Sequence, residues 1–233
     1  IDLYKLPKIS DSTRIGSCIS KPGKFIGIGL NFSDHAAETG AKIPTEPIVF
    51  MKATSSICGP NDNLIMPRSS KKCDWEVEFA FIVGKETKYI KESEASNHIF
   101  GYCLVNDVSE REFQINKLGQ WVKGKSADTF GPIGPYLVTK DEIDNVQNLK
   151  MTLDINGKRM QNGNTNKMIF NINFLLSYLS NFMSLQPGDI VTTGTPPGVG
   201  MGMKPPTYLK PGDEIRLSIE NLGEQFHKVK MEE

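Results

Sequence analysis

Three acidic side chains in one part of the sequence have the types and spacing of a cation site. Glu76 and Glu78 lie within the stretch 74–83, Asp-Trp-Glu-Val-Glu-Phe-Ala-Phe-Ile-Val, and Asp107 ends a later apolar stretch. Residues 74–83 alternate with period two, which predicts a strand. Both glutamates then leave the same face, about 6.6 Å apart at a rise of roughly 3.3 Å per residue.

The strand face that carries the two glutamates becomes apolar at Ala80 and Ile82. We therefore expect other elements to cover it. Two ionised carboxylates in a covered space need a compensating positive charge, and a divalent cation is the simplest one. A solvated strand face is the alternative when Glu-x-Glu is taken alone, because acidic side chains are seldom buried.

Asp107 follows an apolar stretch from Tyr102 onward that is interpreted as a buried strand. Ser109 and Glu112 fit a capping box, so we expect a helix to start directly after Asp107. With Ser109 as the cap, Asp107 is free for another role.

Arg111 and Gln114 lie on the face of this predicted helix that turns back toward Asp107. An arginine beside a cation site is typical of binding to an anionic ligand, usually a carboxylate held by two hydrogen bonds. A surface pair of Arg111 with Glu110 or Asp107 is the alternative for the residue alone.

His35 and Glu38 are spaced i,i+3 on a short polar segment after the strand predicted at 25–30. A carboxylate at this spacing can orient the imidazole and raise its basicity, as in a general base for water. A surface His–Glu pair on a helix is the commoner arrangement without context.

Two glycine-containing segments could contact a ligand. Lys123 and Lys125 flank Gly124 in a predicted loop, and a lysine there could stabilise a developing enolate, although a solvated lysine is the default. The second segment, 194–202, lacks the Lys-Ser/Thr of a phosphate loop and is not followed by a helix, which argues against nucleotide binding. Its Thr195 hydroxyl and neighbouring amides could hold a carboxylate or carbonyl.

Composition excludes several classes of function. Lys and Arg together number 27, as do Asp and Glu, so no net charge attracts nucleic acid or an anionic membrane. No apolar run has membrane-spanning length and no start resembles a signal peptide. The four cysteines lack Cys-x-x-Cys spacing and are expected to be reduced packing residues of a cytoplasmic protein, without zinc. The chain begins at Ile1 rather than Met, as a trimmed or processed chain would.

The elements that must position these residues are mostly strands. Strands are predicted at 25–30, 47–51, 74–83, 102–108, 136–139, 190–193 and 214–219. Asn156-Gly157 predicts a type I′ hairpin. The segment 31–39 is expected to be a short helix with Ser33 or Asp34 as N-cap and Gly40 at its end. Apolar spacing over 169–183 predicts one long helix of about four turns. The fold class is therefore α+β, rich in strands and with few helices.

In combination these motifs resemble the fumarylacetoacetate hydrolase superfamily from about Phe25 to the C-terminus. The segments that carry the resemblance are 29–35 (Gly-Leu-Asn-Phe-Ser-Asp-His), 47–52 (Pro-Ile-Val-Phe-Met-Lys), 74–78 (Asp-Trp-Glu-Val-Glu), Asn106-Asp107 with Arg111, Gly124-Lys125 and 194–198 (Gly-Thr-Pro-Pro-Gly). Each is weak alone, whereas their order and spacing together are specific.

The resemblance implies a mixed, barrel-like β-roll that is usually a homodimer. It implies Mg²⁺ or Mn²⁺ held by Glu76, Glu78 and Asp107, and a water-activating pair of His35 and Glu38. The other implied contacts to the substrate come from Lys125 at the reacting oxygen and from Arg111, Gln114 and Thr195. The founding hydrolase has a further carboxylate ligand upstream of its histidine, where this chain has Phe-Ile-Gly-Ile-Gly at 25–29. Water and substrate are then expected to complete the shell. Residues 1–20 are interpreted as the remnant of an N-terminal domain, and residues 21–233 as the catalytic domain.

The segments 119–132 and 194–206 look most like the branch that hydrolyses 2,4-diketo-3-deoxy sugar acids, whose relatives are often labelled ureidoglycolate lyase. The resemblance thus implies a cation-dependent hydrolase that cleaves a C–C bond in a small 2,4-dioxo acid and releases pyruvate or a similar 2-oxo acid through a metal-bound enolate. Two alternatives remain open. One is a decarboxylase, lyase or isomerase that uses the same enolate chemistry, and the other is a binding paralogue without turnover.

Overall fold

The computed structural model describes residues 5–10, 12–40 and 42–233, and most of the regular structure in these ranges is β-strand. The strands are β1 Phe25–Gly29, β2 Ile48–Lys52, β3 Ile57–Cys58, β4 Leu64–Met66, β5 Cys73–Asp74, β6 Val77–Val83, β7 Ile99–Asn106, β8 Ser109–Glu110, β9 Gly131–Pro132, β10 Val138–Thr139, β11 Lys150–Ile155, β12 Lys158–Asn164, β13 Ile190–Thr192, β14 Glu214–Ile219 and β15 Gly223–Met231. The interpretation of 1–20 as a remnant lies partly outside the described residues and stays a prediction.

Four short α-helices accompany the strands within the described ranges. They are α1 Ser33–Thr39, α2 Arg111–Ile115, α3 Val122–Lys125 and α4 Ile172–Ser180. Single 3₁₀ turns lie at Thr54–Ser56, Lys140–Glu142, Thr165–Lys167 and Gly200–Gly202, and a longer 3₁₀ segment at Glu92–His98. The prediction of a β-rich α+β fold with few helices is confirmed. No helix in the described part of the chain is both long and apolar enough to span a bilayer.

Two mixed sheets form the body of the fold. The first has six strands in the order β10-β7-β6-β13-β1-β2, and the second has five in the order β12-β11-β14-β15-β4. Each contains one parallel pair, β1 with β13 and β15 with β4, and the other pairs are antiparallel. The sheets stay open and form no closed barrel over the described residues. The predicted hairpin is confirmed, because β11 and β12 pair across Asn156 and Gly157, which both have positive φ.

Strand β6 lies inside the first sheet, and both of its faces are buried. Val77, Phe79 and Phe81 pack into the main core, whereas Ala80 and Ile82 pack into a smaller second core on the other face. The predicted cover over the acidic face is therefore confirmed. The strand is shorter than predicted, since residues 75 and 76 connect β5 to β6.

Two predictions about helix caps are wrong. Helix α1 has Phe32 as its N-cap residue and no side-chain cap, although Gly40 does end it with φ 67°. Ser109 lies in β8 and donates to the Asp107 carbonyl, so the N-cap of α2 is Glu110, which accepts from the Glu112 amide. The Ser109 hydroxyl is bonded to the Asp107 carbonyl and the Glu112 amide donates to Glu110, so the predicted capping box does not form.

The helix predicted at 169–183 is shorter in the structure, where α4 spans Ile172–Ser180. It begins only after Asn171, whose side chain caps it by accepting from the Phe174 amide at 2.9 Å. It ends at Ser180 because the chain must turn back to enter β13. The apolar spacing beyond these limits belongs to the flanking turns.

The predicted loop around Gly124 is the short helix α3. Its amides at Gly124 and Lys125 donate to the Trp121 carbonyl at 2.9 and 3.2 Å. A Cβ atom at Gly124 would lie 2.5 Å from the Gln114 amide nitrogen, so this glycine allows α3 to pack against α2. The packing holds Lys125 in the interior.

Candidate active site

The acidic residues predicted as a cation site meet at one cavity of about 240 Å³. Glu76, Glu78 and Asp107 each offer an oxygen that lies within 4.8 Å of the others, and all three are buried. The pairing of β6 with β7 places Val77 opposite Asn106, and the Asp107 amide donates to the Glu76 carbonyl at 2.9 Å. This register brings the end of β7 beside the start of β6, so the carboxylates converge.

Two lysines hold Asp107 from different elements. Lys125 Nζ lies 2.5 Å from Asp107 Oδ2 and 2.7 Å from Glu76 Oε2. Lys52 Nζ, from the end of β2, lies 2.6 Å from Asp107 Oδ1. Lys123, the other candidate, is exposed and donates to the Lys117 carbonyl instead. Of the two lysines that flank Gly124, the structure therefore brings only Lys125 to the site.

Arg111 is buried and connects several polar side chains. Its Nε donates to Asp74 Oδ2 at 2.8 Å and its Nη2 to Glu76 Oε1 at 2.6 Å. Its Nη1 donates to Gln114 Oε1 at 3.0 Å. Arg111 and Gln114 both line the cavity, as predicted for substrate contacts, but Arg111 turns toward Glu76 and Asp74 rather than Asp107.

The buried cluster carries an excess of one negative charge when every member is ionised. It contains four carboxylates, of Asp74, Glu76, Glu78 and Asp107, and three cations, of Lys52, Arg111 and Lys125. Within the described ranges Glu78 forms no ion pair, and its Oε2 accepts the Gly194 amide at 3.0 Å. Glu78 is thus the carboxylate that lacks a direct cationic partner.

Burial and neighbouring charges shift the pKa values of Glu78 and Glu76 in opposite directions. Burial, together with the charges of Asp107 and Glu76, raises the pKa of Glu78 well above its usual value of 4.5. Burial alone would also raise the pKa of Glu76, but Lys125 and Arg111 outweigh it and lower that pKa to about 2. A hard divalent cation would favour the ionised form of Glu78, and three convergent carboxylates are the donors such a cation prefers. The residues present therefore fit Mg²⁺ or Mn²⁺.

Helix α1 places the predicted His–Glu pair at the same cavity. His35 lines the cavity and is 6 % exposed, and its Nδ1 lies 3.2 Å from Glu38 Oε2. Glu38 also accepts the Gly198 amide, at 3.0 Å to Oε1 and 3.2 Å to Oε2. The carboxylate of Glu38 thus joins the imidazole to the glycine-rich segment 194–202.

The segment 194–202 uses its polar groups within the protein. The Thr195 hydroxyl donates to the Val77 carbonyl at 2.9 Å and accepts from Gln161 Nε2 at 2.8 Å. Thr195 still lines the cavity, as the prediction of a substrate contact requires. Gln161 in turn accepts the Val77 amide through Oε1, so it fixes the segment against the start of β6.

Several residues of the site were not predicted. Asp74 accepts the amides of Gly200 and Met201 in addition to Arg111, and Lys52 supports Asp107. Asp74 could have been found, because it shares the period-two face of the two glutamates. Lys52 ends the segment 47–52 that carries part of the family resemblance, but no role was predicted for it. The aromatic wall of the cavity, Phe50 and Trp121, had no signal in the local pattern.

Comparison with known proteins agrees with this geometry. Residues 24–230 match the family model for the C-terminal part of fumarylacetoacetate (FAA) hydrolase. A protein of Burkholderia cenocepacia, named provisionally as a hydrolase, is 57 % identical over 231 residues, which are 99 % of this chain and 82 % of that protein.

Three solved structures illustrate the range of related activities. Fumarylacetoacetate hydrolase from Exiguobacterium antarcticum has a TM-score of 0.89 at 36 % identity and covers 100 % of this chain and 83 % of its own. A Mycobacterium abscessus protein, provisionally named 2-hydroxyhepta-2,4-diene-1,7-dioate isomerase, has a TM-score of 0.86 at 36 % identity, with 96 % and 81 % covered. Maleylpyruvate hydrolase from Sphingobium sp. SYK-6, solved with manganese(II) and pyruvate, has a TM-score of 0.77 at 30 % identity, with 91 % and 72 % covered.

Proposed function

The chain belongs to the fumarylacetoacetate hydrolase family, and on that basis we propose that it hydrolyses a carbon–carbon bond in a small 2,4-dioxo acid with a divalent cation as cofactor. The observation that carries the proposal is the meeting of the acidic cluster and the His35–Glu38 pair at one cavity. The first can bind the cation and the second can activate water. The family resemblance further supports a homodimer, and the four free cysteines support a cytoplasmic location, as parts of the proposal.

Glu76, Glu78 and Asp107 would hold the cation, Mg²⁺ or Mn²⁺. When bound, the cation would supply Lewis-acid polarisation of the 2-oxo acid end of the substrate. The manganese(II) in the maleylpyruvate hydrolase structure supports a cofactor of this kind. A divalent cation would change the cluster from one excess negative charge to one excess positive charge, which suits a ligand with one carboxylate.

His35 is the proposed general base. In the tautomer that carries its proton on Nδ1, His35 donates to Glu38, and Nε2 is the basic nitrogen that takes a proton from water. The resulting hydroxide forms a bond to the distal carbonyl carbon. The bond between that carbon and the central carbon then breaks, its electron pair passes to the 2-oxo acid fragment as an enolate, and a proton restores the 2-oxo acid.

Lys125 would stabilise the negative charge that develops in this reaction, and Arg111 would bind the substrate carboxylate. An ammonium group has three N–H donors, and two from Lys125 contact Glu76 and Asp107, so the third can donate to the developing oxyanion. Arg111 and Gln114 line the cavity and would contact the substrate carboxylate, with Thr195 as a further contact.

The test is hydrolysis of a 2,4-dioxo acid by a His35→Asn variant in the presence of Mg²⁺ or Mn²⁺. We expect loss of at least a hundredfold in kcat, because a positioned general base contributes about 10²–10⁴-fold. Binding of the 2-oxo acid product should be retained. Activity within a few fold of the wild type would contradict the role of His35.

An isomerase or decarboxylase is the second candidate, favoured by the structural similarity to the provisionally named isomerase. Neither reaction needs an attacking water. Assays of an acylpyruvate beside oxaloacetate in ¹⁸O-labelled water would separate the candidates, since only the hydrolase incorporates solvent oxygen into a carboxylate product. A binding paralogue would show no turnover and, after dialysis against Mg²⁺ and Mn²⁺, no bound metal.

A further inference from the structure

Part of the cavity wall is apolar. The apolar side chains that line it are Ile28, Leu30, Phe50, Ile115, Trp121 and Met201. Only the indole N–H of Trp121 among these six can donate a hydrogen bond. This apolar wall therefore offers contact area and almost no polar partners.

The two aromatic rings of the apolar wall are placed on β1 by glycines. The ring centroids of Phe50 and Trp121 are 5.4 Å apart, with an angle of 54° between the ring planes. A Cβ atom at Gly27 would lie 2.2 Å from the Phe50 ring, and one at Gly29 would lie 2.5 Å from the Trp121 ring. The rings lie directly against the strand because both strand residues lack a side chain.

The apolar wall borders the charged cluster. Lys125 Nζ lies 4.9 Å from the centroid of the Phe50 ring and also contacts the carboxylates of Glu76 and Asp107. A ligand whose reacting oxygen contacts Lys125 therefore lies beside the Phe50 ring, at the start of the apolar wall. A substituent on that side of the ligand would contact the wall.

The cavity offers no cation to a second carboxylate at this wall. Apart from His35, the proposed general base, the cationic side chains among the described lining residues are Arg111 and Lys125, and the proposed function already assigns both to the 2-oxo acid end of the substrate. A carboxylate buried against the apolar wall would lose water without a counter-charge. Hydroxyl groups at this wall would likewise lose several hydrogen bonds to water, and only the indole N–H of Trp121 could donate one to them in return.

We propose that the apolar wall makes this site selective for 2,4-dioxo acids whose acyl group is uncharged and apolar, an alkyl or phenyl group, over those that end in a carboxylate or a polyol. This inference rests on the proposed function, because it assumes that the 2-oxo acid end lies at the acidic cluster. It differs from the sugar-acid branch suggested by the sequence. Phe50 and Trp121 are the specificity-determining residues.

The test compares three 2-oxo acids of six carbons that differ only in the tail. They are 2-oxohexanoate with an alkyl tail, 2-oxoadipate with a terminal carboxylate, and 2-oxo-3-deoxygluconate with three hydroxyl groups. Each is titrated calorimetrically into the whole chain with saturating Mg²⁺ or Mn²⁺. We expect 2-oxohexanoate to bind at least tenfold more tightly than either of the others, because its tail is removed from water at no polar cost.

Three variants test whether the apolar wall causes the preference for 2-oxohexanoate. Trp121→Ala should reduce it to less than threefold, whereas Val122→Ala, at the next residue along the chain but outside the cavity lining, should leave it unchanged. Ile115 is 47 % exposed, so Ile115→Lys should fold and supply the missing cation. We expect it to tighten 2-oxoadipate binding at least fivefold.

Two results would overturn the inference: equal wild-type affinity for all three acids, or a preference that persists in Trp121→Ala. The proposed hydrolysis is tested separately by cleavage of 2,4-dioxopentanoate, whose methyl tail is too short to depend on the wall. If that acid is not cleaved but the binding preference holds, only the hydrolytic function is wrong. If it is cleaved without a tail preference, only the inference about the wall is wrong.

Discussion

The ammonium nitrogen of Lys52 lies 2.6 Å from Oδ1 of Asp107, and neither side chain has exposed surface. The second oxygen of Asp107 faces Lys125, so lysines on β2 and α3 hold one carboxylate from two sides. Lys52 also donates to the Val108 carbonyl at 3.3 Å. This pair fixes the end of β7 against the edge strand of the first sheet, and with it the direction in which Asp107 faces the cavity.

Replacing Lys52 should therefore destabilise the protein. Lys52→Met keeps an apolar chain of similar length but leaves the buried Asp107 with one cation instead of two. We expect the free energy of unfolding to fall by about 3 kcal/mol, as for removal of one partner from a buried pair. Denaturant titration of both proteins at pH 7 measures the change.

Lys72→Met provides the matched control, because Lys72 forms a largely exposed pair with Glu112 at 3.9 Å. An exposed pair contributes about 0–1 kcal/mol, so this variant should remain near the wild type. Equal stability of the two variants would show that Lys52 does not compensate the charge of Asp107.

The raised pKa of Glu78 predicts how stability depends on pH in the metal-free protein. The folded state binds the Glu78 proton more tightly than the unfolded chain does, so the contribution is fully present below about pH 4.5 and is lost as the pH rises through the folded pKa. The slope reaches at most about 1.36 kcal/mol per pH unit. Glu78→Gln should remove this loss, so that the variant exceeds the wild type in stability at pH 8 and matches it near pH 4.

Adding Mg²⁺ should reverse that order, because only the wild type offers the ionised Glu78 as a ligand. The shift in melting temperature with Mg²⁺ should grow with pH in the wild type and be small in Glu78→Gln. Glu214→Gln, at an exposed position of β14, controls for the loss of a negative charge. An Mg²⁺ response of Glu78→Gln equal to that of the wild type would show that Glu78 is not a ligand.

The part of the site that follows from local periodicity could be predicted. The period-two pattern of residues 74–83 placed Glu76 and Glu78 on one face, and a covered face with two carboxylates asks for positive charge. The same pattern also contained Asp74, whose role needed only the partner Arg111 to be recognised. Local alternation thus identifies which side chains share a strand face, but not which residues from other segments contact them.

The remaining features depend on contacts between segments far apart in sequence. The distance along the chain from Lys52 to Asp107 is 55 residues, and nothing in either segment specifies the other. The positions of Phe50 and Trp121 depend on the absence of side chains at Gly27 and Gly29, which the sequence shows only as glycines in a strand. Ser109 failed as a predicted cap because its hydroxyl donates to the Asp107 carbonyl, and the next residue, Glu110, accepts the Glu112 amide instead.

Glu38 should have two separable roles. Its carboxylate orients His35 and also accepts the Gly198 amide, so Glu38→Gln retains an acceptor for the amide and loses the charge, whereas Glu38→Ala loses both. We expect both variants to lose about tenfold to a hundredfold in kcat for 2,4-dioxo acid cleavage. Only Glu38→Ala should speed hydrogen exchange at the Gly198 amide.

Asp34→Asn serves as the control for Glu38, since Asp34 lies on α1 but does not line the cavity. It should change neither kcat nor the exchange of the Gly198 amide appreciably. Unchanged exchange in Glu38→Ala would mean that the hydrogen bond from Gly198 does not hold α1 to the segment 194–202.

Asp74 should be the most sensitive residue of the cluster that does not itself bind the cation. It is fully buried, and its carboxylate accepts four hydrogen bonds: from Arg111 Nε and the amides of Trp75, Gly200 and Met201, all between 2.7 and 3.0 Å. Each oxygen of Asp74 accepts two of these hydrogen bonds. In Asp74→Asn one oxygen becomes an NH₂ group, which would face two N–H donors and cannot accept a hydrogen bond from either. Arg111 would also lose an ion pair. We expect the free energy of unfolding to fall by about 3 kcal/mol, together with a higher KM for 2-oxo acid substrates because Arg111 is no longer held.

Asp154→Asn is the control, because it breaks the exposed pair with Arg159. It should lower the free energy of unfolding by less than about 1 kcal/mol and leave KM unchanged. A KM for Asp74→Asn equal to that of the wild type would show that Arg111 keeps its position without Asp74.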